Sequence, residues 1–154
     1  GCHMPLVERA SSDGGPSRKV RSHHMLSQRT PEFLEKAVSA TASIEKNRLR
    51  VSITNDNTGH SFPGEIFNRE AFLKVVVQDM AGNEVAELRE SFRTPARPQR
   101  GSVESTQIKA GETRNFQLDL PEGRLKISVF IGYKLFFLTP DDRAAKVWQA
   151  LLDR

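Results

Sequence analysis

The chain has 154 residues, 37% of them hydrophobic, which suits a single domain with a buried core. Its net charge of +4 is localised: residues 1–50 hold nine Lys and Arg against five Asp and Glu, whereas residues 51–154 hold fourteen of each. No apolar run reaches the roughly 18 residues of a membrane-spanning helix, no signal peptide opens the sequence, and a single cysteine, Cys2, leaves no internal disulfide framework.

The first residues read Gly1-Cys2-His3-Met4-Pro5. Cys-His is the carboxyl half of the Cys-x-x-Cys-His signature for c-type haem attachment, in which two thiols bind the vinyl groups and the histidine supplies an axial nitrogen. Here the first cysteine is absent. The same residues also read as a Gly-x-His-Met cloning remnant with cysteine where serine is usual. Ser11 to Ser17 has loop composition, and His23 and His24 follow side by side. Adjacent side chains diverge in either a helix or a strand, so at most one of the pair is a good ligand candidate, and an ordinary polar position is the alternative.

Thr30-Pro31-Glu32 starts a helix: Thr30 can cap, Pro31 suits the first turn, and Glu32 and Glu35 favour its positive end. Phe33, Leu34, Ala37 and Val38 continue it at helical spacing for about two turns. From Ala40 the period becomes two. Ala42 and Ile44, then Leu49, Val51 and Ile53 after a turn at Asn47, describe a hairpin with one buried face.

The long stretch from Asn55 to Arg69 separates this hairpin from the next strand and carries His60, two phenylalanines and turn formers. Connections usually run about 4 to 6 residues, and longer ones tend to carry function. His60 is thus either a ligand or a loop histidine that satisfies backbone groups beside Gly59 and Gly64.

Ala71 to Asp79 and Glu84 to Phe92 read as paired strands around Met80-Ala81-Gly82-Asn83. A basic loop with Arg97, Arg100, Pro95 and Pro98 follows; nucleic acid is not expected there, because aromatic interleaving and a binding motif are missing. Ser105 to Lys109, Arg114 to Leu120 and Leu125 to Phe137 complete about seven strands, the signature of a mostly β, antiparallel, immunoglobulin-like β-sandwich. Thr139-Pro140-Asp141-Asp142 then starts a second helix, with Ala144, Val147, Trp148, Leu151 and Leu152 on one face. The expected organisation is an N-terminal segment with a short helix (1–39), a sandwich (40–138) and a C-terminal amphipathic helix packed on it (139–154). No Gly-x-Ser-x-Gly elbow, phosphate loop, zinc-type Cys/His cluster or His-Glu-x-x-His motif supports an enzyme reading.

Taken together, Cys2-His3-Met4-Pro5, Ser22-His23, the Glu32 to Val38 helix and Asn57-Thr58-Gly59-His60-Ser61-Phe62-Pro63-Gly64 with Arg69 resemble the C-terminal region of a bacterial multihaem c-type cytochrome. The chain departs from that pattern in lacking the first attachment cysteine and a threonine between Pro63 and Gly64. The resemblance implies haem c bound through Cys2, with His3 as proximal iron ligand and His23, His24 or His60 as a distal ligand, to that haem or to one supplied by a neighbouring segment. It also implies that Arg69, with Arg18 and Arg21, offsets the propionates. The implied role is electron transfer by a bis-histidine haem in the periplasm or outside the cell, with other haem segments of a parent protein or redox proteins as partners. A cofactor-free β-sandwich that mediates assembly is the alternative.

Overall fold

The computed structural model describes residues 3–10, 12–23, 30–64, 66–94 and 105–154. Cys2, His24 and most of the basic loop, Arg97 and Arg100 included, lie outside them.

Alternation of apolar and polar residues produces two facing antiparallel sheets, as the sequence implies. One contains β3 (Ser39–Glu45), β4 (Arg48–Thr54) and β7 (Thr113–Asp119) in the order β3-β4-β7. The other contains β5 (Glu70–Asp79), β6 (Glu84–Phe92), β8 (Leu125–Lys134) and β9 (Ala145–Asp153) in the order β6-β5-β8-β9. Leu49, Val51 and Ile53 of the first sheet meet Leu73, Val75, Val77, Ile127, Val129 and Ile131 of the second in one continuous apolar core. Each of these side chains is at most 1% exposed, and burying one contributes about 1.5 to 3 kcal/mol.

Three expectations need correction. The segment after Pro140 is not a helix: a 3-10 turn at Asp141–Arg143 leads into β9, which pairs antiparallel with β8. Without β9, strand β8 would present an open row of backbone donors and acceptors, and satisfying that row outweighs a helical periodicity. A bulge opposite Ile131 and Gly132 puts Val147 and the neighbouring Trp148 both against the core, so residues spaced for a helix face are served by a strand. The residues at Ser105 to Lys109 form no strand; only Ile108 bridges, to Phe62. The first helix, α1 (Pro31–Leu34), is a single turn, and Thr30 makes no side-chain cap. The chain leaves the helix early because Ala37 and Val38 are drawn into the core immediately before β3 begins.

The N-terminal segment holds a hairpin that alternation did not reveal, β1 (Leu6–Ala10) with β2 (Ser17–Arg21). Gly14, at φ 71, makes its turn in a conformation open to glycine at little cost. The hairpin fixes what precedes it: Ser22 N donates to Pro5 O at 2.9 Å and Arg21 Nη1 to Met4 O at 3.2 Å. His3 is the next residue back.

Candidate functional site

The loop between β4 and β5 owes its shape to a few buried polar groups. Asn55, 0% exposed, donates through Nδ2 to the carbonyls of His60 and Ile108, each at 2.9 Å. Its Oδ1 accepts from Thr58 Oγ1, which also lies 2.7 Å from the His60 carbonyl. Two residues further on, Phe62 exchanges backbone hydrogen bonds with Ile108 at 2.8 and 3.1 Å. A cis bond joins Phe62 to Pro63, and Gly64 follows at φ 110, where a side chain would be strained. Gln107 Nε2 donates to the Gly64 carbonyl and closes this end of the loop.

These restraints hold His60 at the surface beside His3. The two imidazoles lie nearly parallel, 9° apart in plane, with ring centres separated by 6.5 Å. His3 also packs on Phe33 of α1 at 4.9 Å. His60 Nδ1 is 2.9 Å from the Ser61 carbonyl, an oxygen that can only accept, so Nδ1 carries the proton in the neutral ring and Nε2 keeps the lone pair that a metal would take. One metal centre between two imidazoles requires ring centres about 6 Å apart, given bonds of about 2 Å and a further ~1 Å from nitrogen to ring centre. The ring-centre spacing meets that length; such a centre also needs the nitrogen lone pairs, which lie in the ring planes, to point along the line between the rings.

Behind the pair opens a cavity of about 1040 Å³. Phe33, Ala37, Val38, Phe62, Pro63 and Tyr133 give it apolar walls, and Glu32, Glu35, Lys36 and Arg69 supply charge. The cavity thus joins the N-terminal segment, α1, the long loop and strand β8. The C-terminal strand supports α1 from beneath, with Lys146 Nζ 3.0 Å from Glu35 Oε1. Tyr133 is 4% exposed, and its hydroxyl has no hydrogen-bond partner among the described residues. Burial pushes its phenol pKa up, and the nearby Arg69 charge partly opposes that shift.

The structure therefore brings His3, His60 and Arg69 around one cavity and leaves His23 outside it, exposed beyond the end of β2. Arg18 and Arg21 are exposed on β2 and do not line the cavity either. Two residues with a clear part in the site escaped the sequence reading. Asn55 looked like one turn former among several, and Tyr133 like one more core position in an alternating strand; neither periodicity nor composition distinguishes a buried amide that anchors a loop or a phenol at a cavity wall.

No protein-family model matches the chain, and none of the curated proteins does. Among solved structures, its fold is similar to that of a penta-heme cytochrome c552 from Thermochromatium tepidum, with a TM-score of 0.71 at 17% identity. That alignment covers 99% of this chain and 46% of the cytochrome, so the chain spans about half the length of that protein. A superoxide reductase from Nanoarchaeum equitans aligns at a TM-score of 0.42 and 10% identity, over 79% of this chain and 94% of the reductase. The similarity at TM-score 0.71 is one of fold across the whole chain, from the N-terminal segment through the sandwich.

Proposed function

We propose that the chain is an electron-transfer domain of a multihaem c-type cytochrome, whose sandwich supports a haem ligated by His3 and His60. The observation that carries this reading is the parallel imidazole pair, 6.5 Å between ring centres, at a cavity of about 1040 Å³. Two donors suffice for a metal already chelated in a plane by its own macrocycle, and a haem supplies one-electron chemistry at its iron when bound.

The chain's own residues account for the rest. Ser61 holds the His60 ring in the tautomer that offers Nε2, Phe33 packs against His3 at a tilt of 51°, and the cavity walls offer apolar contact to a macrocycle. Arg69 lies at the inner wall beside Tyr133, where a guanidinium suits the carboxylates of the ligand. With His3 and His60 both taken up as iron ligands, no coordination site would remain for a substrate, so the role would be transfer of electrons. Cys2, next to His3, would contribute one thioether. Such attachment belongs to the periplasm or the cell exterior, and the partners are other haem segments of a longer parent protein or separate redox proteins. Exposure of both His3 and His60 supports approach by such a partner.

A cofactor-free assembly module is the second reading, favoured by the exposed apolar residues Ile66, Phe67, Leu135, Phe136 and Leu138. They come from two segments joined by the Phe137 N to Asn68 O bond of 2.8 Å.

Titration of the chain with haemin, read by absorption spectroscopy, separates the two. A Soret band with low-spin, bis-imidazole features is expected, and His60→Ala and His3→Ala should each convert it to a high-spin spectrum. A chain that leaves the haemin spectrum unchanged, or variants that bind as the parent does, would refute the haem reading and favour assembly.

A further inference from the structure

The imidazole of His60 is exposed, yet the backbone behind it is held by a residue that touches no solvent. Asn55 is the first residue after β4, and every polar group it owns is engaged. Its main-chain N–H donates to Glu112 O at 3.0 Å, and its carbonyl accepts from Gly111 N at 2.7 Å. The side-chain amide spends both protons on carbonyls, that of His60 and that of Ile108. Its oxygen takes the hydroxyl proton of Thr58, which the same hydroxyl can alternatively direct to the His60 carbonyl. Residues 55 to 60 are thereby closed into a small ring, anchored through Asn55 to the turn that precedes β7.

A buried amide in this arrangement has few other ways to be satisfied, since leaving a donor without an acceptor costs about 1 to 3 kcal/mol. The consequence falls on His60. Its carbonyl accepts from Asn55 Nδ2, with the Thr58 hydroxyl 2.7 Å away as the alternative donor, and two residues later Phe62 is paired in both directions with Ile108. Between these anchors the Ser61 carbonyl is aimed at Nδ1 of the His60 ring. Glycine at 59 and the turn at Pro63 and Gly64 make the loop's path available; they do not determine where the imidazole points.

We infer that Asn55, assisted by Thr58, is the positioning residue for His60, fixing both the direction of its ring and the nitrogen it presents to the cavity before any ligand arrives. This rests on the reading of His60 as an axial donor, but the orientation itself is a property of the ligand-free chain.

The test uses the full chain with two readouts. In the ligand-free protein, the ¹⁵N shifts of the His60 ring report its tautomer; with haemin as probe, absorption reports spin state and affinity. The unaltered chain is expected to show one dominant Nδ1–H tautomer and a low-spin complex. Asn55→Asp keeps the size and the oxygen that receives Thr58 but removes both amide donors. It should give mixed tautomers, a high-spin fraction and haemin binding weaker by about 10- to 100-fold, the range for loss of an outer partner of a metal ligand. Thr58→Val should move in the same direction, and Thr58→Ser should restore the parent behaviour. If Asn55→Asp does not fold, the Thr58 pair decides. A folded Asn55→Asp, or failing that Thr58→Val, with an unchanged tautomer and low-spin spectrum overturns the inference. If haemin does not bind but the tautomer still depends on these residues, the positioning role stands and the haem reading falls.

Discussion

At Tyr133 a phenol is buried with its hydroxyl unmatched among the described residues, an expensive arrangement in a protein interior. Replacing it with phenylalanine removes the cost of the orphaned oxygen while keeping the ring. Tyr133→Phe should therefore be neutral or stabilising by up to about 1 kcal/mol in urea-induced unfolding of the ligand-free chain. Loss of more than that would mean that the hydroxyl has an unseen partner. Arg69 presents the complementary case. Half-buried at the same wall, it makes no side-chain hydrogen bond or ion pair among the described residues. Arg69→Gln should leave the thermal midpoint nearly unchanged and weaken haemin binding several-fold; a variant that binds haemin as tightly as the parent would remove Arg69 from the site.

Among the elements, the outer face of the four-stranded sheet shows how a connection is pinned. Lys134, 4% exposed on β8, sits 2.7 Å from Glu70 of β5 and 2.9 Å from Asp141 of the 3-10 turn, while Arg89 of β6 reaches the same two carboxylates at 3.2 and 2.8 Å. The Phe72 ring lies beneath both cations, at 4.8 and 5.2 Å. Hydrogen bonding from Arg89 holds Asp141 well below its ordinary value, against some desolvation. Burial pushes Glu70 up, but hydrogen bonds from Lys134, Ser91 and Arg89 outweigh it and leave the group lowered. Both folded values are depressed, so the stabilisation is present above the ordinary carboxylate range and is lost as the pH falls from that range through the folded values below it. The melting temperature should hold above about pH 5 and drop steadily toward pH 2, and Asp141→Asn should flatten part of that drop. A pH-independent midpoint across that window would count against the network. The same ring explains Gly132: a Cβ there would come within 2.6 Å of Phe72 and 2.7 Å of Phe130. Gly132→Ala should cost about 1 to 3 kcal/mol in unfolding free energy through overpacking.

On the scale of the whole molecule, the cavity is a seam. His3 belongs to the N-terminal segment, Phe33 to α1, His60 to the long loop and Tyr133 to the sandwich. A ligand held there ties these parts together and binds only the folded chain, so haemin at about 100 times its dissociation constant should raise stability by about 2.7 kcal/mol. Calorimetry should show the corresponding rise in melting temperature, and His60→Ala should abolish it. A rise that persists in His60→Ala would place haemin elsewhere on the protein.

Much of this molecule was written in local pattern. Period-two alternation at Ala40 to Ile53, Ala71 to Phe92 and Leu125 to Ile131 implies strands with one buried face, and two such sheets have little choice but to close on each other. The long loop that places His60 and Arg69 at the cavity was also visible, because turn formers around a histidine stand out from alternating strands. Three things were not legible. The C-terminal segment carries a helix-spaced apolar set, and only the open edge of β8 makes it a strand. The β1 and β2 hairpin has hardly any buried residue to mark it. Finally, the loop that carries His60 beside His3 is tied down through an amide, Asn55, whose acceptors lie as far as 53 positions away along the chain. Periodicity records which side of an element is apolar, a property of near neighbours; edge pairing and the convergence of distant side chains arise only when the elements meet in three dimensions.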